Sequence, residues 1–476
     1  VAVLRRVMSS SDTSDLSSDA EVLQIMGHSV RESHIRHLLA VYRQEMVERK
    51  DWLDLEDDYA DYLQTRDYQQ DHAVFEPHES PIMRYCYYAM IQREFQIEEV
   101  HYYKDSHHQR GYSKLPPQYD TLTLRDNEAL TETKAKIPRR ATFFCRRLAT
   151  DQPWILHINT WEDDCSEVSL TTVEEHEEIR NFRERTDRYF AEEGPLKGNC
   201  FTPNWSWFNL EEADWSSVVL PSDIKDSLDL NLLTFAKNLD LYSDHNLPTS
   251  RGVLLAGEPG TGKTLTMQVL LNEFKDMTRI YAPAETLSEN GMIAATYELA
   301  RKLSPTLVII EDIDTLGQSE DYHDRSIYVS QLLSSLNSAE ENRGVITVAS
   351  TNYPQALDIA LRDRPGRFDA RVDFSLPDAE DRQRILEKYA SPFKSEGIKW
   401  ADWAGRTEGY TGAWLREMIV VGFSLAVQEQ RADAKSDKAI AVKLKHIKEA
   451  YKIVNETRER VNTTRSQAES LGDIYG

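Results

Sequence analysis

Three short runs in the second half of the chain are apolar without alternation: Gly252–Ala256 (GVLLA), Thr306–Ile310 (TLVII) and Val345–Ala349 (VITVA). Unbroken hydrophobicity over a few residues, bounded by polar turns, is the pattern of a strand covered on both faces. A shorter run at Arg279-Ile280-Tyr281 reads as another strand, and helical segments separate all four. Strands alternating with helices predict a parallel, doubly wound α/β sheet. After Pro377 only helical patterns remain, to about Val454, which predicts a small helical domain.

The first half is less regular. From about Ala20 to Val100 the pattern predicts helices; in HIRHLLAVYRQEMV, Ile35, Leu38, Leu39, Tyr42 and Met46 share one face. His101 to Pro138 is polar, rich in histidine and broken by Pro116-Pro117, so a long loop is expected. His101, His107 and His108 have no companion cysteines or well-spaced carboxylates there, which favours a solvated loop over a metal site. ATFFCRRL and PWILHINTW read as strands, Val173 to Glu193 as a polar helix, and Cys200-Phe201 as a short apolar run closing a small α+β module. The Ser/Asp tract SSSDTSDLSSD cannot bury apolar area and is expected to be disordered. The resulting division is a tail (1–19), an α+β region of unknown type (20–204), an α/β core (205–376), a helical domain (377–456) and a C-terminal tail (457–476).

Composition narrows the function classes. The 476 residues carry 56 Lys+Arg against 80 Asp+Glu, a formal charge of −24. Such a field repels phosphate backbones, so nucleic acid is not the expected partner. The longest mostly apolar stretch, Met418 to Val427, is far below the ~18 residues of a membrane span, and no charged-then-apolar leader opens the chain. Cys86, Cys145, Cys165 and Cys200 are spaced for neither a zinc pair nor a disulfide framework, which fits an intracellular, cytoplasmic protein with reduced thiols.

The chemistry begins at Gly257. Gly257, Glu258, Pro259, Gly260, Thr261, Gly262, Lys263 and Thr264 read GEPGTGKT, a complete G-x-x-x-x-G-K-[ST], placed after a buried strand and before the helix that Leu265 opens. The glycines let backbone N–H groups converge as an anion nest, and the helix N-terminus adds its positive end. Lys263 can reach the β- and γ-phosphates, and Thr264 offers a hydroxyl to Mg²⁺. ATP with Mg²⁺ is the expected cofactor. Beyond the carboxyl end of TLVII stand Glu311-Asp312-Ile313-Asp314, where ligands bind in open α/β sheets.

Together with three further blocks, these motifs resemble the AAA family of ATPases over about residues 214–454. The Glu-Asp order after the strand and the wording Val219-Leu220-Pro221 are most similar to the branch containing the mitochondrial Rieske-protein translocase and related soluble prokaryotic AAA ATPases. The resemblance implies a P-loop NTPase core with a parallel sheet, a C-terminal helical lid and an unidentified N-terminal α+β region. It gives Glu311 the metal position and Asp312 the water-activating position, the reverse of the family's usual Asp-Glu. In VITVASTN, Asn352 matches the residue that orients the attacking water. In DIALRDRPGRFDARVDF, Arg364 and Arg367 match the arginine fingers that reach a neighbouring subunit's γ-phosphate, implying a homo-oligomeric ring, most often a hexamer. In GYTGAWLREM, Gly412 and Ala413 match the start of the lid helix beside the nucleotide, with no sensor-2 arginine.

The resemblance departs at the pore loop. Thr286–Gly291 keeps the glycine but has no aromatic, with Leu287 or Met292 as the apolar substitutes. Two readings remain: a chaperone-like ring that hydrolyses ATP to remodel or translocate a protein client, or a nucleotide-gated assembly or scaffold protein that hydrolyses slowly or not at all.

Overall fold

In the computed structural model, residues 22–25, 28–31, 55–105, 112–126, 131–289, 291–316, 342–353, 368–432 and 440–475 are described, with a few positions between 328 and 336. Arg364, Arg367, His107, His108, Asn290, the face from Ile35 to Met46 and the Ser/Asp tract lie outside them.

Among its described residues the front end combines helices with strands, where helices alone were expected up to about Val100. A hairpin of β1 (Val22–Ile25) and β2 (His28–Arg31) precedes α1 (Leu55–Leu63), β3 (Gln69–Phe75) and α2 (Ser80–Glu94). The expected loop over 101–138 is instead β4 (Phe95–Asp105), β5 (Tyr112–Leu115), β6 (Gln118–Asp126) and the start of β7 (Thr131–Arg147). These join β8 (Pro153–Thr160) and β9 (Ser166–Thr172) in a seven-stranded antiparallel sheet, ordered β3-β9-β8-β7-β4-β5 with β6 paired to β7. Pro116-Pro117 is the turn from β5 to β6. The strands hide from a hydrophobicity reading because only part of each is buried. Residues 131–134 of β7 are exposed while its second half is core. His101 pairs with Glu99 at 2.8 Å, and no metal-holding cluster of three or more ligands occurs among the described residues.

One face of that sheet packs α2 and α3 (His176–Glu192), with Phe95, Trp154 and Phe182 in mutual ring contact. The other face holds a smaller cluster in which Tyr59 and Leu63 of α1 meet Phe144 and Ile155. All four cysteines are free.

The second half forms the expected parallel sheet. Its strands are β10 (Cys200–Phe201), β11 (Arg251–Gly257), β12 (Thr278–Pro283), β13 (Thr306–Glu311), β14 (Val345–Thr351) and β15 (Ala370–Phe374), ordered β10-β12-β13-β14-β11-β15. Alternate side chains serve opposite faces: Leu254, Val308 and Ile310 join one core, and Val253, Leu255, Leu307 and Ile309 the other. Helix α4 (Lys263–Glu273) covers the second face and α5 (Met292–Lys302) the first. Cys200-Phe201, read from sequence as the end of the front module, is the edge strand here, paired in parallel with Arg279-Ile280. The first core is continuous with that of the antiparallel sheet through Phe190, Leu196 and Phe201.

Helices α6 (Ala379–Ala390), α7 (Trp400–Arg406), α8 (Gly412–Ala432) and α9 (Leu444–Tyr475) follow, around a core of Leu386, Trp403, Leu415, Met418 and Ile447. Two details differ from the all-helical expectation. A parallel pair, β16 (Lys394–Glu396) and β17 (Ala441–Lys443), clips the bundle, and α9 continues helically through the segment read as a tail.

Candidate functional site

The P-loop lies between β11 and α4. Gly260 and Gly262 take φ of +83° and +107°, the left-handed region open to glycine at little cost. Gly260 is also sterically required, since a Cβ there would stand 2.7 Å from the Ala413 Cβ and 2.9 Å from Thr411 Oγ1. The start of α8 packs on this point: the Ala413 N–H donates to the Gly260 carbonyl at 3.1 Å, and Gly412 lies against the same carbonyl. Gly412 and Ala413 are thus small because the loop backbone passes beneath them. We expect Gly260→Ala to cost about 1–2 kcal/mol from the backbone alone and to push the start of α8 away. The check is a lower Tm together with weaker nucleotide binding; unchanged affinity would show that the contact does not shape the pocket.

Lys263 is buried, and its Nζ donates to the carbonyls of Gly257 (2.8 Å) and Glu258 (2.9 Å). Burial lowers its pKa; Asp312, Asp314, Glu258 and Glu311 push it back up.

At the end of β13 the two acids separate. Thr264 Oγ1 donates to Glu311 Oε1 at 2.5 Å, and the Tyr281 hydroxyl donates to Glu311 Oε2. Thr264 and Glu311 thus offer clustered hard oxygens, a donor set that fits Mg²⁺ with part of its water shell retained. Asp312 turns the chain in the left-handed region (φ +52°), a conformation that Asp tolerates better than most residues. Its backbone N–H donates to Ser350 Oγ at 3.0 Å, and its Oδ1 accepts from Asn352 Nδ2 at 2.9 Å. Burial, then Asp314 and Glu311, raise the Asp312 pKa; Lys263 and Asn352 oppose this. A carboxylate with a raised pKa, held by an amide beside a lysine, can take a proton from water.

Asp314, read in the sequence only as a further acid, is buried and accepts from the Asn352 backbone N–H at 3.0 Å, which ties the ends of β13 and β14 together. Ser350, Tyr281 and Thr411 were not singled out from sequence, since one hydroxyl on a strand or cap carries no pattern. Arg416, on α8, lines the cleft and faces the ring of Tyr389 at 5.9 Å.

The cleft measures about 740 Å³. Pro259 to Leu265, Asp312 and Asn352 line its phosphate side; Val218–Leu220, Ile385, Tyr389, Gly412 and Ala413 line the apolar side. Lys388 of α6 donates to the Ser216 carbonyl at 2.5 Å, tying α6 to the segment before Val218. The structure brings together every expected site residue that it describes. It corrects the pore-loop expectation: Leu287 and Met292 are buried in the core, so neither side chain is free to grip a polypeptide.

The family model for the ATPase family associated with various cellular activities (AAA) matches residues 253–376. The ATP-dependent zinc metalloprotease FtsH of Acholeplasma laidlawii is 31% identical over 216 residues, 42% of this chain and 33% of that protein. FtsH of Acaryochloris marina is 32% identical over 216 residues, again 42% of this chain and 33% of the relative. A protein of Methanocaldococcus jannaschii named as a 26S proteasome regulatory subunit homolog is 30% identical over 223 residues, 44% of this chain and 57% of that protein. The chain thus spans between a third and just over half the length of these relatives. The matched segment begins in β11 and ends just beyond β15, enclosing the P-loop and the carboxylates beside it. Over this segment, residues 253–376, the chain is thus similar to the AAA family of ATPases.

Proposed function

We propose that this chain binds ATP with Mg²⁺ and hydrolyses it within a homo-oligomeric ring, most simply a hexamer, coupling the cycle to remodelling or translocation of a protein client. The carrying observation is the paired arrangement at the end of β13: Glu311 against Thr264, Asp312 against Asn352, both beside Lys263. In this reading Lys263 and the loop amides hold the phosphates, and Thr264 and Glu311 hold Mg²⁺, which neutralises developing phosphate charge. Asp312 accepts a proton from the attacking water while Asn352 aligns the carboxylate. Arg364 and Arg367 serve the neighbour's site. Kinship with the Rieske-translocase branch rests on the Glu-Asp order and the Val219-Leu220-Pro221 wording.

A scaffold that assembles on ATP and turns over slowly is the second reading, favoured by the reversed acids and by the burial of Leu287 and Met292. In the remodelling reading the client is chosen by the antiparallel N-terminal sheet rather than by a gripping pore loop. The test is particle mass with ATP and Mg²⁺ alongside ATPase rate per chain against protein concentration. The ring reading expects a closed oligomer and a rate that rises with concentration, because trans-acting arginines can be worth about 10³–10⁵ in rate. A monomer whose rate per chain is independent of concentration would overturn it.

A further inference from the structure

Glu311 is one methylene longer than the aspartate usual at its position, and it has a second partner. Its Oε1 faces Thr264, and its Oε2 is held by the Tyr281 hydroxyl from the adjacent strand β12, where Pro283 pairs with Glu311 itself. The Tyr281 ring is in turn stacked on Phe208, with centroids 4.2 Å apart and planes at 26°. Burial, then the bond to Glu311, raise the Tyr281 pKa, so the hydroxyl stays a donor.

Phe208 follows edge strand β10 and is pinned on both sides. Its N–H donates to the Cys200 carbonyl on edge strand β10 at 3.1 Å. Its carbonyl accepts from Arg125 Nη1 on β6 at 2.8 Å, and the preceding Trp207 donates Nε1–H to the Thr123 carbonyl, also on β6, at 2.9 Å. A continuous set of contacts therefore runs from the β6–β7 hairpin of the N-terminal sheet to one oxygen of the carboxylate beside the P-loop.

We infer that Tyr281 is a positioning residue for Glu311, and that Phe208 makes the placement of the N-terminal sheet felt at that carboxylate. This rests on the reading of Glu311 as the metal-side acid. Without the hydroxyl, the longer side chain is free to turn about its terminal bonds, and the oxygen offered beside Thr264 is no longer fixed. Groups that orient a metal-side carboxylate typically contribute about 10–100-fold in metal affinity. The N-terminal sheet, on engaging a client, has through Phe208 a route to the Mg²⁺ requirement of the ATPase.

The test uses the full chain: ATPase rate against Mg²⁺ concentration at saturating ATP, and binding of a fluorescent ATP analogue in EDTA. Tyr281→Phe keeps the ring and its stack, and should raise the Mg²⁺ needed for half-maximal rate about ten-fold with metal-free binding unchanged. Phe208→Leu should shift it in the same direction by less, and Phe208→Trp should restore it. On a Glu311→Asp background, whose carboxylate falls short of the hydroxyl, Tyr281→Phe should add nothing. If Glu311→Gln shifts the Mg²⁺ requirement and Tyr281→Phe does not, the positioning role is overturned while the site reading stands. If Glu311→Gln leaves it unmoved, the metal-side reading fails first. A parallel loss of metal-free binding in Tyr281→Phe would mark a merely structural role and overturn the inference, and a silent Phe208→Leu would overturn the link to the N-terminal sheet.

Discussion

Asp312→Asn should reduce ATP turnover by about 10²–10⁴ while ATP binding persists. The amide is nearly isosteric, so the backbone bond to Ser350 and the contact with Asn352 can survive, but the proton acceptor is lost. Stability should move the other way. The Asp312 pKa is raised, first by burial and then by Asp314 and Glu311, so the native state favours the neutral form. Above that raised pKa the charge costs stability; the cost shrinks as pH falls through it and is gone below the unfolded-state value. The Asn variant should therefore melt no lower than the parent at neutral pH, with any gain fading as pH falls. The same shift sets the pH profile. The base must be ionised, so kcat/KM for the parent should fall as pH drops through the raised pKa, at a pH above the ordinary aspartate range. Asn352→Ala removes a lowering contact and should move that limb to still higher pH. Turnover unchanged in Asp312→Asn would remove the residue from the base role and favour the slow scaffold reading.

Lys263→Ala should abolish nucleotide binding in practical terms. In the proposed site the Nζ turns to the phosphates, and two charge-assisted bonds there, each worth about 1.5–3 kcal/mol, correspond to roughly 10²–10⁴ in Kd. The truncation also strips the Gly257 and Glu258 carbonyls of the donor that the buried Nζ provides. Arginine should not rescue, because a planar fork does not fit a cavity shaped for one ammonium. Calorimetric titration with ATP decides the matter, and affinity within a few-fold of the parent would remove Lys263 from the phosphate site. In the ring reading, assembly should fail with binding, so the particle mass of this variant should not respond to ATP.

The site was legible to the extent that it is local. In the proposed site GEPGTGKT holds phosphate through its own backbone, so its spacing in sequence is its spacing in space. Glu311, Asp312 and Asn352 stand at the ends of buried strands, and parallel pairing brings those ends to one edge. Tyr281 was not legible, because its partner is on the neighbouring strand and its ring is set by Phe208. Leu287 and Met292 were misread for a related reason. Both are apolar beside a glycine, and only packing tells a core side chain from an exposed one. The strands of 101–138 were missed because a half-covered antiparallel sheet built from Thr, Tyr, Lys and Arg leaves little hydrophobic contrast. Register with β7, where Asp120 faces Ile137 and Leu122 faces Ala135, is what makes them strands.

The sequence by itself therefore determined the Gly-rich loop, the parallel core and the helical character of the segment after Pro377, whose signals are runs of adjacent residues with fixed local geometry. Only the tertiary structure decided which sheet owns Cys200-Phe201, that the front end is an antiparallel sheet, and that Phe208 and Tyr281 reach the acid beside the P-loop. Those facts depend on pairing and stacking between residues far apart in the chain. No local pattern encodes such contacts, because burial and register arise only when the elements meet.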